Sequence, residues 1–260
     1  SGVAIGFIGS RLEMAWNTIR NSRVEKDGRM DGGAFEYYGR YFDDDNVERY
    51  DLSDDIAIHH NVLDDNLMFI EAYGNATNMV IAHNLYMNSG PSALIFHLDD
   101  CEHETWTHEC TYQVRLENNT FVTERGSDAG GWGIVGLLVD WDHPADPAKS
   151  SVLVRNNIFV TDYRIMAFIN PLGDNLVHDH NLFFFEGEGA LSDNADGWSL
   201  SPTEQIADPL FVDPTASDYR LTGASPAIDA GAGSLYSADL TGVPVPTGDA
   251  PDLGACEWVP

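Results

Sequence analysis

Apolar positions along this chain do not keep a helical period. They fall in short alternating runs bounded by Gly, Asn, Asp and Pro, which is the punctuation of strands. One phrase recurs: alternating residues, then Asn, then two mostly apolar residues. It reads Met14-Ala15-Trp16-Asn17-Thr18-Ile19 and returns as Ile58-His59-His60-Asn61-Val62-Leu63 and Ile81-Ala82-His83-Asn84-Leu85-Tyr86. It returns again as Leu116-Glu117-Asn118-Asn119-Thr120-Phe121 and Val154-Arg155-Asn156-Asn157-Ile158-Phe159, with a looser copy at His178-Asp179-His180-Asn181-Leu182-Phe183. The asparagines are 44, 23, 35, 38 and 24 residues apart. A fixed unit with variable insertions marks a solenoid. Each Asn is expected at a sharp bend in left-handed geometry, its amide bonded to the Asn above and below.

A second set of short apolar strands follows these phrases, at 34–39, 69–74, 93–98, 135–140 and 165–170. Together the two sets predict an all-β fold, a single-stranded parallel β-helix, and exclude a doubly wound α/β sheet. The long insertions at 40–55, 99–111 and 142–150 follow the second set, so they are expected to leave one corner and wall a groove. A Gly-rich insertion at 123–133 precedes a strand instead. The chain opens strand-like at 1–8 with no polar cap. That predicts missing N-terminal rungs, or an N-terminal domain or neighbouring subunit covering the first rung. Residues 1–189 are read as rungs with loop insertions, and 190–260 as closing rungs and an irregular C-terminal cap.

Charge narrows the partners. With 42 acidic against 13 basic residues the net charge is -29, and Lys26 and Lys149 are the only lysines. Such a surface repels nucleic acid and anionic membranes. No apolar run reaches the roughly 18 residues that span a bilayer. The acidity reads either as solvation in a saline habitat or as cation binding. Cys101 and Cys110 are close in sequence and Cys256 is remote. One loop disulfide, Cys101–Cys110, and one free thiol fit an oxidising compartment.

From about 205 the text changes to Ala207-Asp208-Pro209-Leu210-Phe211, then Asp218-Tyr219-Arg220-Leu221, Ser225-Pro226-Ala227-Ile228-Asp229-Ala230-Gly231 and Asp252-Leu253-Gly254-Ala255-Cys256-Glu257. This resembles the closing segment of secreted bacterial right-handed parallel β-helix repeat proteins, a superfamily that includes polysaccharide lyases, glycoside hydrolases and surface proteins. The resemblance implies a right-handed helix, a secreted or cell-surface location and a polysaccharide or oligosaccharide partner.

Alternation then places the candidate chemistry. With Phe35, Tyr37, Ile70 and Ala72 inward, Glu36, Tyr38, Glu71 and Tyr73 point outward, and adjacent rungs stack Glu36 on Glu71 and Tyr38 on Tyr73. His97 extends the column and Asp140 follows one rung later. Stacked carboxylates repel unless they share a proton or a cation. The readings are an acid and base or nucleophile pair for glycoside cleavage, a Ca²⁺ site on Glu36, Glu71 and loop aspartates, or a surface pair with no task. Tyr38, Tyr73 and Trp106 are candidate sugar contacts. Asp31, before Gly32 and Gly33, joins the candidate substrate-binding set or is a turn residue. His59 is a further substrate-binding candidate, read in the first place as a buried, hydrogen-bonded histidine, with one of His59 and His60 inward and the other outward. Zinc on Cys101, His103, His108 and Cys110 is the alternative to the disulfide. The scarcity of lysine favours a hydrolase over a lyase, with no cofactor required. A non-catalytic fibre or surface module that binds glycan or cations stays open beside the enzyme, as does a Ca²⁺-assisted lyase.

Overall fold

The computed structural model describes residues 2–26, 29–38, 40–42, 48–50, 54–73, 76–90, 92–97, 111–123, 133–138, 150–166, 171–192 and 197–260. At 24–26, 29–31, 40–42, 48–50 and 138 it describes backbone alone.

The chain winds as a right-handed parallel β-helix with three sheet faces. The first sheet orders Val3–Phe7, Gly33–Tyr38, Ile70–Tyr73, Leu94–His97 and Val135–Leu138. The second orders Leu12–Ala15, Asp54–His59, Ala76–Ala82, Tyr112–Glu117, Ser151–Arg155 and Leu176–Asp179. The third runs from Thr18–Arg20 through Val62–Asp64, Leu85–Ser89, Thr120–Thr123, Ile158–Thr161 and Leu182–Phe185 to Gln205–Ile206. Every pairing within these sheets is parallel between successive turns. A short parallel pair, Arg164–Met166 with Ala190–Ser192, follows the first sheet's last strand.

The recurrent Asn phrase marks the corner from second to third sheet. The amides form one ladder: Asn17 to Asn61, Asn61 to Asn84, Asn84 to Asn119, Asn119 to Asn157 and Asn157 to Asn181, each Nδ2 donating to the next Oδ1 at 2.9–3.0 Å. Glu204 ends the ladder by accepting from Asn181 at 2.7 Å. The left-handed residue is not the asparagine, however. It is the residue before it: Trp16, His60, His83, Asn118, Asn156 and His180 all have φ between 51° and 60°. The bend precedes the amide, and each Asn sends its side chain along the stack.

Inside, side chains of like size stack. On the third sheet Phe121, Phe159 and Phe183 lie face to face at 5.2 and 5.4 Å, interplanar 8°. Gly32 explains a tight corner: at φ +131° a Cβ there would meet the Ser22 carbonyl oxygen at 2.6 Å. Its freedom serves backbone approach rather than a ligand. Two antiparallel hairpins flank the strand that carries Glu36, Val24–Lys26 with Arg29–Asp31 before it and Arg40–Phe42 with Glu48–Tyr50 after it.

From Ala207 the chain doubles back along the outside of the second-to-third corner. Gly254 donates to the Asn156 carbonyl at 2.7 Å, Ala255 to Thr120 Oγ1 at 2.9 Å, and Asn118 Nδ2 to the Asp252 carbonyl at 3.0 Å. This segment covers several rungs from the side.

Candidate functional site

The first sheet carries the candidate carboxylates. Phe35, Tyr37, Ile70 and Ala72 are fully buried, while Glu36, Glu71 and Tyr73 are half-buried and Tyr38 is exposed. Glu36 is the register partner of Glu71, and Tyr73 pairs with Tyr38 on one side and His97 on the other. The outward alternation therefore places the predicted column as expected, at the rung spacing of about 4.8 Å. Gly6 precedes Glu36 on its row, while Ile95 and then Gly136 follow Glu71. No side chain stands on this row at either glycine.

Each carboxylate is held by aromatic neighbours. Tyr38 donates its hydroxyl to Glu36 Oε1. Glu71 Oε1 lies 2.8 Å from His97 Nε2 and also accepts from the Tyr73 hydroxyl. Burial pushes Glu71 upward, but the bonds from His97 and Tyr73 outweigh it and hold its carboxyl below the usual range. Burial and the Glu71 carboxylate push the Tyr73 phenol well above its ordinary value. The His97 strand is anchored from inside, because buried Tyr112 donates to the His97 carbonyl at 2.7 Å.

The rings differ from the expectation of sugar platforms. Tyr38 stacks on Tyr73 at 5.6 Å and 9°, and Tyr73 on His97 at 4.1 Å and 12°. Both faces of Tyr73 are thus covered by protein, leaving its edge for a ligand. Asp140, Trp106, Cys101, Cys110, His103 and His108 lie outside the described residues. Asp31 ends the hairpin strand Arg29–Asp31, two residues before the strand that carries Glu36. Among the described residues no group of three or more His, Cys, Asp or Glu is placed to hold a metal ion. Cys256 has a free thiol.

His59 stands away from this face, at the end of the second sheet. Its Nε2 is 2.9 Å from Glu13 Oε1 and its Nδ1 is 2.7 Å from His60 Nδ1. Both His59 and His60 are buried, at 5% and 3% exposure. The expected one-in, one-out alternation fails because His60 is the left-handed bend residue and because the C-terminal segment covers the corner.

Two further features lie outside the candidate residues read from the sequence. The acidic residues of the closing motif are structural. Asp239 accepts from the amides of Thr241, Val243 and Glu257, Asp252 from those of Asp229 and Trp258, and Glu257 from those of Thr247 and Asp252. They replace the missing sheet ladder of an irregular cap. Burial pushes Asp252 and Glu257 above the usual carboxylate range. The second feature is a cleft of about 680 Å³ on the third sheet, with Val122, Val160 and Phe184 among its lining and the turn Asp208–Phe211 and Tyr219 across from them. It is remote from Glu36 and Glu71, which lie on another face.

No protein-family model and no curated protein matches this sequence. The fold itself is consistent with a carbohydrate-binding or carbohydrate-active β-helix surface. Among the described residues no helix is long and apolar enough to cross a membrane.

Proposed function

We propose that the outer face of the first sheet binds and cleaves a polysaccharide, with Glu36 and Glu71 as the working carboxylates of a glycoside hydrolase. The observation that carries this reading is the side-by-side register of the two glutamates, with Glu71 kept ionised by His97 and Tyr73. In this reading Glu71 faces the anomeric carbon as base or nucleophile. Glu36, one rung away, delivers the proton to the departing oxygen and later recovers it. A rung spacing near 4.8 Å suits the roughly 5–5.5 Å separation of retaining enzymes. Gly6 leaves the row open beside Glu36, and beyond Glu71 the row passes over buried Ile95 to Gly136. His97 positions Glu71, and Tyr38 meets sugar through its exposed ring. Asp140 and Trp106 belong to this proposal through their place in the sequence. A secreted or cell-surface location accords with an extracellular glycan.

The test is a panel of neutral and uronic glycans assayed with and without Ca²⁺. Glu36→Gln and Glu71→Gln are each expected to lower turnover by roughly 10²–10⁴-fold without moving the unfolding midpoint. Undiminished turnover in both variants sinks the proposal. A second reading, glycan binding without cleavage, is favoured by the bonds that already occupy both carboxylates. Saturable binding with no reducing ends released would select it. Unsaturated uronate products that depend on Ca²⁺ would select a lyase.

A further inference from the structure

We propose that the C-terminal cap is fastened to the solenoid by an acid-released latch, in which His60 and His83 meet Tyr236 and Ala238. Two groups of residues, far apart in sequence, converge there. Glu13, Trp16, His59, His60 and His83 come from the corners of the first three rungs. Tyr236, Ala238 and Asp239 come from the cap. His60 lies between the Trp16 ring at 4.4 Å and the His83 ring at 5.1 Å. Tyr236 packs on His59 at 4.5 Å and meets His60 and His83 edge-on at 5.2 and 6.0 Å.

The hydrogens of this cluster follow from its acceptors. The Ala238 carbonyl, 2.9 Å from His60 Nε2, can only accept, so His60 carries its proton on Nε2. His60 Nδ1 is then a lone pair, and His59 Nδ1 at 2.7 Å must donate to it. Glu13 Oε1, 2.9 Å from His59 Nε2, closes the relay with one further proton held between that imidazole and the carboxyl. Every polar atom of His60 is thereby committed. A second proton on His60 would have to enter at Nδ1, where it would face the hydrogen of His59 across 2.7 Å.

His83 offers no better place. It is 1% exposed, and no bond of full hydrogen-bond geometry reaches either ring nitrogen, while the Ala255 backbone of the cap faces the ring and favours its charged form. Burial, and then the neighbouring His60 and His59, push it down to about 4 against the Ala255 backbone and Asp239. Burial also lowers His60, against the Ala238 bond and Asp239, which favour its charged form. Trp16 lends its ring face to the same side of the balance. Asp239, though acidic and near, has its oxygens bonded to backbone amides of the cap.

In the closed seam His60 and His83 therefore exclude protons that they accept once it opens. Stability from a depressed imidazole is fully present above the ordinary value of 6.5 and is lost as pH falls toward about 4. The cap's own carboxylates have the opposite sign. Asp252 and Glu257 are held above their usual range, so acid favours their folded form. Acidification thus loosens the joint between cap and solenoid while the inside of the cap holds.

Amide hydrogen exchange on the whole chain tests this at pH 7 and pH 5, with rates corrected for intrinsic chemistry. The seam reporters are the Gly254 amide on Asn156 and the Ala255 amide on Thr120. The reference is the Asn ladder, read at the amides of Asn84 and Asn119. Protection at Gly254 and Ala255 is expected to fall at least tenfold at pH 5, with the ladder unchanged. In a His60→Gln, His83→Phe double variant that difference is expected to vanish. Equal protection at the two pH values, or an undiminished response in the double variant, overturns the latch. ¹⁵N spectra of the wild-type imidazoles decide independently of whether the variant folds. His60 should remain the neutral Nε2–H form wherever Gly254 stays protected. A charged His60 beneath a protected Gly254 refutes the proposal.

Discussion

Each turn from the second sheet to the third passes through a residue with positive φ, and six different positions manage it with Trp, His or Asn. For non-glycine residues that geometry costs about 1–2 kcal/mol. The next residue offsets it. Asn119 illustrates the arrangement: fully buried, its Nδ2 donates to the carbonyls of Ile81 and Glu117 and to Asn157 Oδ1, while its Oδ1 accepts from the Asn84 amide and side chain. Replacing Asn119 by Ala leaves a buried amide and two buried carbonyls short of partners. A loss of about 3 kcal/mol is expected from denaturant unfolding. Asn17→Ala, at the half-buried end of the ladder, should lose only about 1 kcal/mol. Equal losses at the two sites would mean that the ladder bonds are not what the asparagines contribute. This repeat was legible in the sequence because its chemistry is invariant. The bend before it was not, since Trp16, His60 and Asn156 share a backbone angle and no side-chain chemistry.

Strands in this molecule have two outlooks, one into the core and one onto a face, and period-two alternation reads both. That is why Glu36, Tyr38, Glu71, Tyr73 and His97 were placed from sequence on one outward column. Alternation stops at corners, so it misjudged His60, and it carries no information on ring faces buried by neighbouring rings. Nor could it foresee where the C-terminal cap docks, since its partners on the solenoid lie 134 and 178 residues away in the chain, as for Asn118 with Asp252 and His60 with Ala238. The inward stack makes its own prediction. Phe159 is fully buried between Phe121 and Phe183. Phe159→Ala should cost about 3–5 kcal/mol. Because a solenoid couples mainly nearest neighbours, the loss should also separate the unfolding of the rungs on either side. Fluorescence and circular dichroism would then cease to coincide along the transition. Coincident transitions at reduced stability would show that the lateral cap, rather than rung-to-rung stacking, carries cooperativity.

At the scale of the whole molecule, charge is the dominant unbalanced quantity. The chain holds 42 acidic and 13 basic residues. Some of those cations are tied to single carboxylates, as in Arg155 with Asp179 at 2.6 Å, Arg23 with Asp65 at 2.7 Å and Arg20 with Asp64 at 3.4 Å. The buried cap acids Asp239, Asp252 and Glu257 take backbone amides instead of cations. The remaining carboxylates repel across a folded surface more closely than along an unfolded chain. Salt acts on both terms. Raising it from about 0.1 to 1 M shortens the screening length from roughly 10 to 3 Å. Exposed ion pairs lose at most a few tenths to about 1 kcal/mol each, whereas repulsion among a net charge of -29 is relieved over the whole surface. The repulsive term is longer in range and more numerous, so it wins. Stability should rise with NaCl, by about 1–2 kcal/mol, or roughly 2–8 °C in Tm for a domain of this size. A calorimetric series in NaCl checks the sign. A Tm that falls with salt would mean that the paired arginines, not the unpaired carboxylates, set the electrostatic balance, and Arg155→Gln should then abolish much of the salt response.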